Sequence, residues 1–126
     1  MKKTITSAQI KKMIVDTLKE HKALNISALN IKTITDIADY MVVCTANSTV
    51  HVKTLIEKIR EKIATVQIKP IGVEGEEVRE WMLIDFGDVI VHVMLETVRK
   101  FYALEKLWDI KPKKLPSPSP RKSKKN

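Results

Sequence analysis

Two carboxylates and an imidazole stand close together in the second half of the chain, and such groups can bind a metal ion or exchange protons. Asp85 and Asp88 flank Phe86-Gly87, and His92 follows shortly after. Carboxylates and imidazoles are ligands for several divalent metals, and the same groups serve as general acids and bases. These three side chains are therefore the first candidates for a chemical site.

The spacing of these residues predicts a hairpin that separates the imidazole from the carboxylates. Glycine tolerates the positive φ of tight turns, so Phe86-Gly87 is predicted to be the turn. A two-residue or a four-residue loop then pairs Asp85 with Asp88, and Trp81 with His92. We expect the two carboxylates to shape the turn, and His92 to pack or hydrogen-bond beside Trp81. This arrangement argues against a metal or catalytic site.

The two faces of the hairpin differ in composition, because side chains alternate along each strand. The apolar face is predicted to pack in the core and carries Met82, Ile84, Val89, Val91 and Val93. The other, which we call the mixed face, carries Trp81, Leu83, Asp85, Asp88, Ile90, His92 and Met94. Aromatic, aliphatic and ionisable groups together are typical of a surface that meets another macromolecule. The mixed face is predicted to stay partly open and to bind a partner.

Enzymatic chemistry finds little support in the sequence. A nucleotidyltransferase needs a Gly-Ser turn, followed by paired acids that hold Mg²⁺ and the nucleotide phosphates. Asn47-Ser48 stands where that turn would, but no Asp-x-Asp follows. Cys44, the only cysteine, lies in an apolar run and is predicted to be a small buried hydrophobe. We expect no enzyme, no cofactor and no metal, with a nucleotidyltransferase acting on nucleotide or RNA as the alternative.

The positive charge of the chain is concentrated at its ends. The net charge is +8, but residues 111–126 contain seven basic side chains and no acid, and residues 1–35 contain seven basic and two acidic ones. Residues 36–110 hold nine basic and thirteen acidic side chains. An acidic middle argues against a domain that grips nucleic acid with its sheet. A small RNA-binding module driven by the basic tail stays open as a further alternative.

The apolar periodicity predicts one α/β domain, residues 1–110, and a disordered basic tail, residues 111–126. The domain is predicted to hold a mixed sheet of about five strands, in the order helix, two strands, helix, three strands and helix, with helices packed on the apolar hairpin face. The last helix is predicted over Glu96–Leu107. No apolar run is long enough to span a bilayer and the start resembles no secretory signal, so we expect a cytoplasmic protein.

Several separated motifs stand in one order along residues 5–110. They are a Gly-and-Glu segment at 72–75, the hairpin with Asp85-Phe-Gly-Asp88, and Arg99-Lys-Phe-Tyr-Ala-Leu-Glu-Lys-Leu-Trp108. Upstream stands Thr35-Asp-Ile-Ala-Asp-Tyr-Met-Val-Val43. Together they resemble the ribosomal silencing factor family, also called RsfS or Iojap. Several motifs in the right order are far more specific than one short pattern.

The resemblance implies a fold, a function and a set of contact residues. It implies a nucleotidyltransferase-like topology without catalysis. Family members bind the large ribosomal subunit through its protein fourteen and obstruct joining of the small subunit when nutrients are scarce. The acidic middle would complement a basic ribosomal protein, and the tail would contact rRNA. Whether the chain forms a homodimer stays open. By the same resemblance the contact residues are Trp81, Leu83, Asp85, His92, Met94 and Tyr102, with Glu74 as an acidic rim.

Overall fold

The predicted order of helices and strands is confirmed. The computed structural model describes residues 5–102, and side chains through residue 100. The predicted end of the last helix, the domain end near residue 110 and the tail of residues 111–126 lie outside the described residues. The elements are α1 (Ser7–Glu20), β1 (Leu24–Asn30), β2 (Tyr40–Ala46), α2 (Thr49–Ala64), β3 (Gly72–Glu74), β4 (Trp81–Asp85), β5 (Val89–Leu95) and α3 (Glu96–Tyr102).

The five strands form one mixed sheet in the order β1-β2-β5-β4-β3. Neighbouring strands pair antiparallel, except that β2 and β5 pair parallel. A parallel pair needs a crossover connection, and here α2 carries the chain over the sheet to its far edge. β1 and β3 are therefore the two edges, and β5, the last strand of the described residues, fills the centre.

Local side-chain hydrogen bonds fix where the first helix begins. The Thr6 hydroxyl accepts from the Gln9 N–H at 3.1 Å, and the Gln9 side-chain oxygen accepts from the Thr6 N–H at 2.8 Å. This reciprocal capping box satisfies two N–H groups at the helix start. Ser7 donates instead to Asp39 Oδ2 at 2.7 Å, which ties α1 to the segment before β2. Among the described helices, none is long and apolar enough to cross a membrane.

Both long helices pack on the apolar face of the hairpin, as predicted. The five apolar-face side chains of the hairpin belong to one buried cluster with the inward stripes of α1 and α2. Burying each large aliphatic side chain contributes about 1.5–3 kcal/mol, so this layer holds the hairpin firmly. The mixed face consequently points away from both helices. The helix residues in the cluster are Ile10, Ile14, Leu18, Val52, Leu55, Ile56, Ile59 and Ile63.

The pairing within the hairpin differs from the prediction. Leu83, not Trp81, lies opposite His92, so the predicted Trp81–His92 pair is wrong. Asp85 pairs within β5 rather than with Asp88, so that predicted pair is wrong as well. Because the register moves by two residues, every side chain of β4 and β5 keeps the face that was predicted for it, while Asp88 lies in the loop.

The side chain of Phe86 explains the changed register. Phe86 is 7% exposed and joins the core beside Ile84, so the alternation of β4 continues through it. Its N–H donates to the Val89 carbonyl at 3.0 Å, which leaves Gly87 and Asp88 as a two-residue loop. Gly87 takes φ +92°, a conformation that glycine adopts at little cost.

Candidate partner-binding site

Trp81 and His92 form a hydrogen-bonded pair at the centre of the mixed face. His92 lies opposite Leu83, so Trp81, two residues earlier on β4, is its diagonal neighbour. The Trp81 Nε1–H donates to His92 Nδ1 at 2.9 Å. The two ring centroids are 5.8 Å apart, and the ring planes are inclined by 53°. The prediction that His92 packs or hydrogen-bonds beside Trp81 is confirmed.

The hydrogen bond and the burial of His92 fix its protonation. An indole N–H only donates, so Nδ1 accepts and the neutral ring carries its proton on Nε2. The imidazole is fully buried, and burial lowers the pKa of His92 from 6.5 to about 4. Near pH 7 this side chain is therefore neutral, and it holds the Trp81 ring in place.

His92 Nε2 and Glu74 Oε1 are buried without a hydrogen-bond partner in the described part of the chain. Glu74 lies on β3, beside the hairpin. Glu74 pairs with Leu83, and Leu83 pairs with His92, so these side chains form one row across β3, β4 and β5. Members of such a row point to the same side of a sheet. A donor and an acceptor thus flank Leu83, each costing about 1–3 kcal/mol while unsatisfied.

The two carboxylates beside the turn serve local structure. Asp85 Oδ1 accepts from the Gly87 N–H at 2.7 Å, which stabilises the loop. Asp88 is exposed, and its backbone carbonyl accepts from the N–H groups of Asp39 at 2.8 Å and Tyr40 at 3.1 Å. The predicted turn role therefore holds for the Asp85 side chain, whereas Asp88 acts through its backbone. Within residues 5–102, no three His, Cys, Asp or Glu side chains are grouped as metal ligands.

The mixed face is covered, so the expectation that it stays partly open is wrong. Trp81 and Leu83 are each 9% exposed, and His92 and Met94 are fully buried. Part of the cover comes from residues 29–38, which are remote from the hairpin in sequence, and part comes from α3, which follows β5 directly. Tyr102 ends α3, and its side chain lies outside the described part. The other described residues of this buried cluster are Leu29, Ile31, Ile34, Ala38, Met41, Val43 and Val98.

Arg99 joins α3 to the first two strands, a role that was not predicted from the sequence. Its guanidinium donates to Thr45 Oγ1 at 3.1 Å, to Ser27 Oγ at 3.4 Å and to the Asn25 carbonyl. These three partners lie more than fifty residues away in sequence, so no local pattern could have revealed the contact. Burial raises the pKa of the Cys44 thiol to about 12, although the positive charge of Arg99 opposes the effect. Cys44 is thus an inert core residue, as predicted.

Gly75 allows a close backbone approach that positions the start of β4. It takes φ +90°, and a Cβ at this position would lie 2.2 Å from the Trp81 carbonyl oxygen. Only glycine fits both constraints. The Arg79 N–H donates to the Gly75 carbonyl at 3.0 Å and closes the loop between β3 and β4. This loop makes the β3 edge acidic, because it exposes Glu76, Glu77 and Glu80.

Ser48, the residue that a nucleotidyltransferase would use at its phosphate turn, caps a helix here. Its hydroxyl accepts from the His51 N–H at 3.1 Å. His51 Nδ1 in turn accepts from the Asn47 N–H at 2.9 Å, and His51 Nε2 lies 2.9 Å from the His21 carbonyl. Side chains and backbone of this turn are therefore engaged in joining α1 to α2.

The sequence matches one family model and several known proteins. A family model described as "Ribosomal silencing factor during starvation" matches residues 4–126. The ribosomal silencing factor of Chromobacterium violaceum is 37% identical over 100 residues, which are 79% of this chain and 82% of that protein. The ribosomal silencing factor of Halalkalibacterium halodurans is 35% identical over 104 residues, 82% of this chain and 89% of that protein.

Similarity extends to three-dimensional structure. A crystal structure of a Chromobacterium violaceum protein superposes with a TM-score of 0.81 and 34% sequence identity, and the match covers 90% of this chain and 92% of that one. The motifs noted in the sequence lie in the hairpin and in the segments around it, within this matched region. The chain therefore belongs to the ribosomal silencing factor family.

Proposed function

We propose that the protein binds the large ribosomal subunit through that subunit's protein fourteen and, while bound, blocks joining of the small subunit. Membership of the family makes the chain a ribosome-associated regulator of translation, and the family's description refers to starvation. Repression under nutrient limitation follows if the bound domain occupies the space that the small subunit needs. Such a block requires no turnover, so we propose a cytoplasmic protein without enzymatic activity or cofactor, whose basic tail adds contacts to rRNA.

The observation that carries this proposal is the chemistry of the sheet around β3 and β4. Glu74 stands at the edge of the sheet, next to the exposed carboxylates of the loop that follows β3. A basic ribosomal protein would meet complementary charge here, which favours fast and selective association. Trp81 and Leu83 lie beside these acids, and each keeps 9% exposure through which it would touch the partner.

The burial of the mixed face divides the proposed contact residues into two groups. Glu74 and Asp85 are half-buried, and Trp81 and Leu83 keep 9% exposure, so these four would touch the partner. His92 and Met94 are fully buried and would act from beneath, by holding Trp81 and Leu83 in place, while Tyr102 would add a contact from α3.

The unsatisfied polar row lies beneath the proposed contact surface. His92 Nε2 and Glu74 Oε1 are both buried, so the partner would touch the exposed part of the Glu74 side chain and not these two atoms.

Cosedimentation with separated ribosomal subunits tests the proposal. The purified full chain should pellet with large subunits and not with small ones, added isolated protein fourteen should compete, and subunit joining should fall as the protein is added. Failure to pellet with large subunits, or pelleting without any effect on joining, would refute it.

A charge-reversal pair tests the location of the contact. Glu74→Lys reverses the charge at the end of the polar row and should weaken large-subunit binding at least tenfold, which corresponds to about 1.4 kcal/mol. Glu57→Lys makes the same charge change on the exposed side of α2, beyond the opposite sheet face, and should bind like the parent. Equal effects of the two substitutions would show that overall charge, not this edge, determines binding.

A further inference from the structure

We infer that the groove between α1 and the edge strand β1 binds RNA, through contacts between its lysines and the phosphate backbone. This contact lies at the opposite edge of the sheet from the surface in the proposed function. The lysines involved are also different residues from those of the basic tail.

The groove combines a small apolar floor with a row of cations. Ala8, Val15 and Ala28 form the floor, and Lys11, Lys12 and Lys19 stand along the helix side. Lys12 and Lys19 are seven residues apart, which is about two helical turns, and Lys11 is adjacent to Lys12, so all three line the same groove along α1. The row from Lys11 to Lys19 extends about 12 Å along the helix axis.

One end of the groove gathers two cations at one aromatic ring. Lys11 Nζ lies 5.2 Å from the centre of the Tyr40 ring, and Lys32 Nζ lies 5.5 Å from it. Two ammonium groups attracted to one ring repel each other, and an anion between or beside them relieves that repulsion. Basic side chains beside an aromatic ring are typical of surfaces that bind single-stranded nucleic acid.

Few carboxylates neutralise this groove. Asp16 is the acid in its lining, and it pairs with Lys12 at 3.0 Å. None of the ion pairs within residues 5–100 involves Lys11 or Lys19. On α2, by contrast, Lys53 pairs with Glu57 at 3.3 Å, and Lys58 pairs with Glu61 at 3.7 Å.

The sheet topology separates charges of opposite sign. β1 and β3 are the two edges of the five-stranded sheet, roughly 19 Å apart at the usual strand spacing. The β3 edge carries the acidic loop, which repels phosphate, and the β1 edge carries the lysine groove. A polyanion would therefore approach this protein from the β1 side, leaving the acidic edge free for a basic protein.

The irregularity of β1 favours RNA over a peptide as the occupant. An extended peptide binds a sheet edge by adding a strand, which needs a continuous row of backbone groups. The register of β1 shifts between Leu24 and Ser27, and Asn25 takes φ +48°, so this row is interrupted. The floor is formed by the small side chains of two alanines and one valine and carries no large hydrophobic residue to pack against an apolar anchor. Phosphate groups need neither feature.

Salt-dependent RNA binding by the full chain tests the inference. The probe is a mixed-sequence single-stranded RNA of about twenty nucleotides, measured by fluorescence anisotropy over a range of KCl concentrations. The groove variant is Lys11→Gln/Lys12→Gln/Lys19→Gln. The matched control, Lys53→Gln/Lys58→Gln/Lys62→Gln, removes the same charge from α2 and leaves the tail unchanged.

The groove variant should lower the slope of log affinity against log salt by about 2, since each phosphate contact on a single strand contributes about 0.7. At 0.1 M salt this corresponds to about a hundredfold loss of affinity. The control should keep the parental slope, and both variants should keep the parental circular dichroism and urea midpoint. Equal slopes for the parent and the groove variant, or equal losses in groove and control variants, would overturn the inference.

Two further measurements separate the occupants and the proposals. If a poly-glutamate peptide binds the parent but not the groove variant, while RNA binding is unchanged, the occupant is an acidic peptide and the inference fails. The RNA assay contains no ribosomal protein. Groove-dependent RNA binding without cosedimentation on large subunits would therefore refute the proposed function alone, and cosedimentation without groove-dependent RNA binding would refute the further inference alone.

Discussion

Mild acid should destabilise this protein mainly through His92. Burial holds the pKa of His92 at about 4 in the folded chain, against 6.5 for an exposed imidazole. Because the folded-state value is the lower one, the unfolded chain binds more protons between these two pH values. The free energy of unfolding should therefore be fully retained above pH 6.5 and fall as the pH drops from about 6.5 through about 4.

The size of the effect follows from the two pKa values. Lowering a pKa from 6.5 to about 4 corresponds to about 3 kcal/mol of stability that is lost once the pH lies below both values. At pH 5 the unfolded imidazole is almost fully protonated and the folded one is mostly neutral, so the loss is already about 2 kcal/mol. Domains of this size have a total stability of about 5–15 kcal/mol, so the effect is readily measured.

Urea unfolding followed by circular dichroism, between about pH 7.5 and pH 5, provides the assay. In His92→Asn the amide oxygen can accept from the Trp81 N–H, but the side chain does not titrate, so its stability should be lower yet flat over this range. Trp81→Phe removes the donor and keeps the imidazole, so it should lose about 1–3 kcal/mol and retain the pH dependence. Equal pH dependence in the parent and His92→Asn, or an NMR titration of His92 near pH 6.5, would refute this reasoning.

Three other predictions follow from the structure. Gly75→Ala should abolish or severely reduce stability, because the new methyl group would lie 2.2 Å from a backbone oxygen. Gly72→Ala, whose methyl group would have nothing within 4 Å, should change the urea midpoint little. Similar midpoints for the two variants would contradict the backbone contact at Gly75. Arg99→Lys should lower the free energy of unfolding by about 1 kcal/mol or more, since lysine cannot reproduce the forked contacts to two strands, and an unchanged midpoint would show that these contacts add nothing. Deleting residues 111–126 should reduce the salt dependence of large-subunit binding without eliminating binding at low salt. The reason is that seven basic side chains without an acid act mainly by counterion release. Complete loss of cosedimentation would instead make the tail the principal binding element.

The sequence predicted the parts of the fold that depend on periodicity. Alternation along β4 and β5 assigned each side chain to the correct face, since a strand's side-chain period is fixed by backbone geometry. The register was less accessible, because it depended on whether Phe86 belongs to the turn or to the core. In the structure the Phe86 ring is buried in the core, and the loop consists of Gly87 and Asp88. The sequence alone therefore does not show whether a hydrophobic residue beside a turn glycine belongs to the turn or to the core.

The candidate site was predicted in composition but not in exposure. The partnership of Trp81 and His92 follows from two polar-edged rings at neighbouring strand positions, and pattern alone was sufficient to suggest it. The cover over that pair comes from Ile31, Ala38 and α3, whose placement depends on long-range packing. The hydrogen bonds of Arg99 to residues of β1 and β2 depend on the same packing. No local rule links these segments, so only the three-dimensional structure could reveal a closed face.

The central position of β5 constrains the order in which this chain can fold. β5 is the last strand in sequence, yet it separates β2 from β4 and provides the sheet's one parallel pairing within the described residues. The β1–β2 hairpin and the β3–β4 pair therefore have no common sheet until Val89–Leu95 has left the exit tunnel of the synthesising ribosome. Pairing between such distant segments is slow, and the β1–β2 and β3–β4 pairs expose apolar faces until β5 pairs with both. The domain should thus acquire its native sheet only after β5 has been synthesised, and nascent chains stalled before residue 89 should remain sensitive to protease.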